Sequence, residues 1–396
     1  MLERPSGRAP QLPPLRVVII DDQAAIRTAL RNLLVGQRDI LIVGEAADGE
    51  EGLKVVHAEQ PDMILLDLEM PRLDGFAFLR LQMAKRPTPV VVVSSHATRE
   101  SVFRALELGA LDFVKKPTRI RDVSDLQPIQ EDLLRKLRLC RTLGLSQLTE
   151  RTRAHAASQS NPNLTPYRPE SAQSSTDLLA TMRASQQRPQ LPKRLLCIGA
   201  STGGPPAIAT VLSGLHPMLP VSILVTQHMP DSFSAAFVER LTRTTPWPVR
   251  EANPDVPISP GEVVVASGTH SLRVYRDGPL LRVQAPHLSH SQQSPQAAQL
   301  SPIVPSIDHM LESAAQAMGS DVIAVILTGM SGDGVQGARA VHACGGRILA
   351  ESPSTAVLSG MPDDVIASGV VSEVVPLRRM ADVLTQLLLA PTSHSS

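Results

Sequence analysis

A serine, a histidine and an aspartate each follow an apolar run in the C-terminal half of this chain, and together they supply the groups that nucleophilic acyl chemistry requires. Leu195 to Ile198 leads into Gly199-Ala200-Ser201-Thr202-Gly203-Gly204-Pro205. Val221 to Val225 leads into Thr226-Gln227-His228-Met229-Pro230, and Val322 to Leu327 into Thr328-Gly329-Met330-Ser331-Gly332-Asp333-Gly334. A hydroxyl attacks poorly until a base takes its proton, and an imidazole titrates where that is useful. A carboxylate behind the ring fixes its tautomer and stabilises the imidazolium. Taken singly, Ser201 reads as a helix N-cap, His228 as an ordinary loop or core histidine and Asp333 as a turn residue between glycines. Three such residues at three strand ends are harder to explain that way. The glycine-rich turn is not a P-loop, since no Gly-Lys-Ser/Thr follows, and its glycine spacing is not GxGxxG. In a dinucleotide fold the next strand would end in an acidic ribose ligand, whereas this one ends in Gln227-His228.

A second set of polar residues occupies strand ends in the N-terminal half. Asp21-Asp22 follows the first apolar run, Asp67 the third, Ser94-Ser95 the fourth and Lys115-Lys116-Pro117 the fifth. Three carboxylates at one sheet edge repel each other unless a hard cation joins them, and Mg²⁺ prefers such oxygens. An ammonium and a hydroxyl at the same edge suit a phosphoryl group carried on the central carboxylate.

Both sets need parallel sheets whose strands deliver loops to one edge. Strand-like runs at 17–20, 40–43, 63–66, 90–93 and 111–114 alternate with amphipathic stretches near 24–35, 50–59, 74–84, 99–108 and 125–139. Such β-then-α repetition predicts a parallel sheet with helices on both faces. From 141 to 193 polar residues, prolines and arginines replace the apolar periodicity, so a flexible linker is expected there, with a short helix near Thr176 to Met182. Strand–helix alternation resumes over 194–389, interrupted by a polar loop at 285–302, and the last residues form a frayed tail. The expected fold class is α/β, with two doubly wound parallel-sheet domains at 16–140 and 194–389.

The bulk composition removes several function classes. Among 396 residues, 38 Lys and Arg balance 38 Asp and Glu, so no net field draws the chain to nucleic acid or anionic lipid. Aromatics at 2% leave few stacking platforms for single strands. Neither a basic recognition helix nor a helix-turn-helix pattern is visible over 194–389. No apolar run approaches the length of a membrane span, and the N-terminus lacks the apolar core of a signal peptide. Cys140, Cys197 and Cys344 have no metal-ligand spacing; Cys197 and Cys344 read as small packing residues. Sparse, unpaired cysteines fit a reducing compartment, and a cytoplasmic protein without membrane insertion is expected.

Over 16–140 the sequence resembles the receiver domain of two-component response regulators, on Asp21-Asp22, on Asp67 within LeuAspLeuGluMetProArgLeuAspGly, on Ser94 and on Lys116-Pro117. That resemblance implies a (βα)5 receiver of strand order 2-1-3-4-5, phosphorylated on Asp67 by a sensor histidine kinase. It implies Mg²⁺ held by Asp21, Asp22, Asp67 and the main-chain carbonyl of Glu69, with Ser94 as switch hydroxyl, Phe113 as switch aromatic and Lys116 as the family's lysine. GlyAlaSerThrGlyGlyPro, GlnHisMetPro and LeuThrGlyMetSerGlyAspGly, behind such a receiver, resemble the CheB-type protein-glutamate methylesterases of bacterial chemotaxis. The resemblance implies a C-terminal Rossmann-like methylesterase domain with Ser201 as nucleophile, His228 as base, Asp333 as ring-orienting acid, the Met330 N–H as oxyanion donor and Thr202 beside the nucleophile. It implies hydrolysis of glutamate methyl esters on methyl-accepting chemoreceptors, under control of receiver phosphorylation and without a cofactor for the ester chemistry; some members also deamidate receptor glutamines. Two segments depart from the family pattern. Ser267-Gly268-Thr269-His270 stands where the family has Gly-Gly before a histidine, and Pro305-Ser306-Ile307-Asp308 follows a glutamine-rich insertion rather than a histidine. Two other output domains remain open on the residues alone: a non-enzymatic scaffold and a nucleotide-binding module.

Overall fold

Strands made almost wholly of Val, Ile and Leu can be buried on both faces only in the middle of a helix-covered parallel sheet, and both halves of this chain are built on that principle. A computed structural model describes residues 13–94, 99–117, 127–142, 191–254, 256–268, 271–284, 305–330 and 332–390. The chain divides into two compact units.

The first unit runs β1 (Leu15–Ile20), α1 (Ala24–Val35), β2 (Ile40–Ala46), α2 (Gly49–Glu59), β3 (Met63–Leu66), α3 (Gly75–Lys85), β4 (Val90–Ser94), α4 (Arg99–Glu107), β5 (Asp112–Lys115) and α5 (Gln127–Thr142). Its sheet has the order β2-β1-β3-β4-β5, all parallel. Val17 to Ile20 and Val90 to Val93 are no more than 1% exposed. Helix α1 buries Ile26, Ala29, Leu30, Leu33 and Leu34, the one-sided stripe of an amphipathic helix. Asp48 and Asp74 cap α2 and α3 by accepting backbone N–H groups of the first turn. One boundary moves: α5 continues to Thr142, into the first residues expected to be linker. Residues 143–190 of that expected linker, with the short helix near Thr176 to Met182, the loop at 285–302 and the C-terminal tail, lie outside the described residues.

The second unit runs β6 (Arg194–Ala200), α6 (Gly204–Gly214), β7 (Val221–Gln227), α7 (Asp231–Thr244), β8 (Val249–Glu251), β9 (Val256–Ile258), β10 (Val263–Val265), β11 (Arg273–Asp277), β12 (Leu280–Gln284), α8 (Ile307–Met318), β13 (Val322–Ile326), α9 (Val335–Ala343), β14 (Arg347–Glu351), α10 (Gly360–Ala367), β15 (Glu373–Val375) and α11 (Leu377–Leu389). Its main sheet has the order β15-β14-β13-β6-β7-β10-β8. Every pairing in it is parallel. Successive strands leave β6 first toward β7 and later toward β13, so the winding reverses at β6, where open α/β sheets bind their ligands.

One feature of this unit is absent from the sequence reading. A separate antiparallel sheet, β11-β12-β9, packs into the same core as α8: Val274, Leu281 and Val283 share it with Met310, Leu311 and Ala314. Of the two cysteines expected to be packing residues, one is buried and one is not. Cys197 is fully buried in β6, but Cys344 is exposed, because it ends α9 at the Gly345-Gly346 turn instead of facing the core. Among the described residues no helix is long and apolar enough to cross a membrane.

Candidate active site

The parallel order of the first unit brings its polar strand ends together. Asp21 follows β1, Asp67 follows β3 and Lys116 follows β5; they are 1%, 3% and 1% exposed. Lys116 Nζ donates to Asp21 Oδ2 at 2.5 Å and to Asp67 Oδ2 at 2.8 Å, so the lysine after edge strand β5 bridges the carboxylates at the ends of the inner strands β1 and β3. Asp22 is exposed, and its carboxylate lies with those of Asp21 and Asp67 in a group whose ligand oxygens are all within 4.8 Å of one another. That is a hard-oxygen donor set suited to Mg²⁺. Burial raises the pKa of Asp21 above the usual carboxylate range despite the Lys116 ammonium, and the Asp67 charge adds to the rise. A divalent cation would relieve that cost, so the residues fit the ion. Ser94 is buried at the end of β4 and Phe113 is buried in β5, its carbonyl accepting from Lys136 Nζ at 2.6 Å. Glu69 lies two residues past Asp67 with its side chain exposed.

In the second unit, adjacency of β6 and β7 does the corresponding work. Ala200 is paired with Gln227, and the His228 N–H donates to Ala200 O at 3.0 Å, so Ser201 and His228 leave neighbouring strands at the same level. Ser201 then enters a tight turn whose Gly203 has φ of +78°, a conformation that favours glycine, and α6 starts at Gly204. The nucleophile candidate therefore lies just ahead of a helix N-terminus, where unpaired N–H groups favour negative charge. From the other side, Ser201 N–H donates to Thr328 O at 3.0 Å. Gly329 is packed so close that a Cβ there would stand 2.8 Å from Ser201 Cβ.

Asp333 is 5% exposed and takes four hydrogen bonds. Its Oδ2 accepts from His228 Nε2 at 2.9 Å and from Ile307 N at 2.6 Å; its Oδ1 accepts from Asp308 N at 2.9 Å and Ser306 Oγ at 3.3 Å. The carboxylate thus sits on the N-terminus of α8. Burial works against its charge, but the hydrogen bond and charge of His228, with the N–H groups of Asp308 and Ile307, outweigh it and hold Asp333 below the usual carboxylate range. An ionised Asp333 accepts only, so Nε2 carries the ring proton and Nδ1 is left as the basic nitrogen. Among the described residues no hydrogen bond joins Ser201 Oγ to the ring. Thr202 and Met330 are both buried beside the site.

Gln227 is a site residue that the sequence reading passed over. Its Nε2 donates to Ser201 O at 2.8 Å and to His228 O at 3.0 Å, tying the two strand ends together, while its Oε1 is buried with no partner among the described residues. Its place directly before His228 was the available signal. Thr328 is the second such residue: Oγ1 donates to Thr202 O at 3.0 Å, and its N–H is held by the fully buried Glu351 at 2.9 Å. Thr269 and His270, in the first segment that departs from the family pattern, lie outside the described residues, as does Ser331.

A carboxylate cluster at the sheet edge of one unit, and a serine, histidine and aspartate at the switch point of the other, fit a response-regulator receiver joined to an α/β output domain of hydrolase type. Comparison with known proteins agrees on both parts. The response regulator receiver profile matches residues 17–126 and the CheB methylesterase profile residues 196–384. A protein of Geobacter sulfurreducens named protein-glutamate methylesterase/protein-glutamine glutaminase 3 is 40% identical over 380 residues, covering 94% of this chain and 97% of that one. One of Anaeromyxobacter dehalogenans, number 6 of the same name, is 41% identical over 377 residues, covering 95% of each. The crystal structure of the Thermotoga maritima CheB methylesterase catalytic domain matches at 32% identity and a TM-score of 0.45, over 49% of this chain and 98% of that domain. The chain belongs to the CheB methylesterase family, and it is an ester hydrolase of that family with a receiver domain ahead of the esterase domain.

Proposed function

We propose that this chain removes methyl esters from glutamate side chains of methyl-accepting chemoreceptors, in the cytoplasm, under control of phosphorylation at Asp67. The relatives' printed names add glutamine deamidation, which the same acyl chemistry would perform with ammonia in place of methanol as leaving group. Residues 16–140 serve as the phosphoryl acceptor and 194–389 as the esterase. The observation that carries the reading is the 2.9 Å contact between His228 Nε2 and an ionised Asp333, one strand position from Ser201.

Ser201 Oγ attacks the ester carbonyl while His228 Nδ1 takes its proton. The tetrahedral oxygen collects negative charge near the start of α6 and the N–H of Met330, which has no acceptor among the described residues. The imidazolium, stabilised by Asp333, returns the proton to the methoxy oxygen and methanol leaves. Water, deprotonated by the same nitrogen, then releases glutamate and regenerates the hydroxyl. Gln227 and Thr328 hold the backbone of this turn, with Thr202 beside the nucleophile. In the receiver, Mg²⁺ bound by Asp21, Asp22, Asp67 and the Glu69 carbonyl would neutralise charge on the incoming phosphoryl group. Lys116, Ser94 and Phe113 would respond to the phosphate once a sensor histidine kinase has delivered it.

The test is methanol release from receptor-containing membranes labelled at their methyl esters. Ser201→Ala should lose about 10⁶-fold in kcat, as nucleophile removal does in serine hydrolases; near-full release would end the assignment. A small phosphoryl donor should change the wild-type rate and leave Asp67→Ala unmoved. Equal response in both would separate the receiver from the esterase activity.

A further inference from the structure

The segment Pro305-Ser306-Ile307-Asp308 supplies an acidic group for which the proposed chemistry has no use, and the structure shows what it touches. Asp308 Oδ1 accepts from Gly334 N at 3.0 Å and from Gly337 N at 2.7 Å, the first turn of α9. Asp333, which immediately precedes that turn, accepts from Ile307 N and Asp308 N, the first turn of α8. Asp308, in the first turn of α8, therefore accepts from the start of α9, and Asp333, just ahead of α9, accepts from the start of α8. The two helices meet closely: a Cβ on Gly337 would lie 2.6 Å from Leu311 Cβ and 3.0 Å from Asp308 Cα.

We propose that Asp308 is a positioning residue of the esterase site, locking the Gly332-Asp333-Gly334 turn against α8 so that the Asp333 carboxylate meets His228 Nε2. The inference rests on the Ser201–His228–Asp333 reading and deepens it. Asp308 fixes the residue directly after Asp333, and its two accepted N–H groups leave the turn little rotational freedom. The charged and titratable groups around it are Asp333 from the turn before α9, His228 beyond that from the end of β7, and His309 on its own helix, whose Nδ1 is engaged with Ser271 Oγ at 3.2 Å. Burial, opposed by the Gly337 and Gly334 N–H groups and reinforced by the Asp333 charge, pushes the Asp308 carboxyl up to about 6. Above that pH Asp308 adds a second negative charge beside Asp333.

The experiment compares Asp308→Ala, Asp308→Asn and Asp333→Ala in the full chain, measuring kcat and KM for methanol release from methyl-labelled receptor membranes across pH 5 to 9. Asp308→Ala should lose about 100-fold in kcat at unchanged KM, the cost of displacing a catalytic group by about 1 Å. Asp308→Asn keeps a neutral acceptor for both glycine N–H groups, so it should recover to within about threefold of wild type, by the same positional argument. With one negative charge fewer near the ring, its acid limb in kcat/KM should move to lower pH. A residue that merely supported the fold would move the melting temperature and leave that limb in place. Full turnover in Asp308→Ala beside a crippled Asp333→Ala would overturn the inference alone. So would an asparagine variant as poor as the alanine one with an unmoved acid limb. Near-full turnover in Asp333→Ala would instead remove the triad reading and the inference with it.

Discussion

Replacing Asp333 by asparagine tests the site most sharply, because the side chain keeps its shape while its four hydrogen bonds cannot all survive. Both carboxylate oxygens accept from backbone N–H groups: Oδ2 from Ile307 at 2.6 Å and Oδ1 from Asp308 at 2.9 Å. An amide has one acceptor end, so one of those donors must face an NH₂ group. If the NH₂ turns toward Asp308, a buried N–H loses its partner, at about 1–3 kcal/mol. In a domain of this size that lowers the melting temperature by about 2–4 °C per kcal/mol. If it turns toward Ile307 and His228, the ring must accept at Nε2 and carry its proton on Nδ1, the nitrogen needed as base. A wrong tautomer of this kind costs about 10⁴-fold in kcat, or about 5 kcal/mol of barrier. Either orientation removes the charge that stabilises the imidazolium. Initial rates of methanol release, with a thermal melt on the same preparation, separate the two losses. An Asp333→Asn enzyme that kept both its melting temperature and, within about tenfold, wild-type kcat would refute the argument, since the first orientation costs stability and the second costs the base.

Three other perturbations follow from the same contacts. Gln227→Leu removes both hydrogen bonds to the carbonyls of Ser201 and His228; at about 1 kcal/mol each, it should destabilise by roughly 2 kcal/mol and lower kcat, and an unchanged melt and rate would show that the tie is dispensable. Lys116→Met leaves Asp21 and Asp67 buried without their shared cation, a loss of about 3–5 kcal/mol, and added Mg²⁺ should raise its melting temperature more than it raises that of wild type. The acid pair should divide in pH. Asp333, held low, contributes stability above the ordinary carboxylate pKa that is lost as pH falls through its folded value; Asp308, raised to about 6, contributes stability below the ordinary carboxylate pKa that is lost as pH climbs to about 6. Melts of Asp308→Asn against wild type should therefore converge at low pH and separate in the variant's favour above 6.

Four of the five receiver strands were legible because each holds a run of four apolar residues, a local pattern that needs no partner to be seen; β5, with Asp112 and Lys115 around Phe113-Val114, was placed by the strand–helix alternation. The small antiparallel sheet was not. Val256–Ile258 is three residues long and contains Pro257, and its pairing with Leu281 to Val283 spans a sequence distance that no local periodicity reports. Cys344 failed for a related reason: a glycine-rich neighbourhood suggested packing, while its position at the end of α9 puts it in solvent. The polar strand ends of both sites were readable one by one. What ties them together was not, since Asp308 and Asp333 are 25 positions apart and meet only when α8 and α9 pack with their N-termini side by side.

Strand order explains why the serine, histidine and aspartate come in that sequence along the chain. β6 lies between β7 and β13, so His228, leaving β7, and Asp333, beyond β13, start on opposite sides of Ser201. A carboxylate at the end of β13 itself would be separated from the imidazole by the Ser201 turn. The chain solves this by carrying the acid onward for several residues, across Ser201, where Gly329 lacks the Cβ that would block the passage. The acid then docks on α8, which packs against both β6 and β7 and so presents its N-terminus beneath their ends. Placement of the carboxylate thus depends on a helix that contributes no reacting group. The proton on Nε2, and with it the identity of the basic nitrogen, is set by how firmly α8 holds Asp333. His228's hydrogen bond and charge, with the N–H groups at the start of α8, together offset the burial that would otherwise raise this acid.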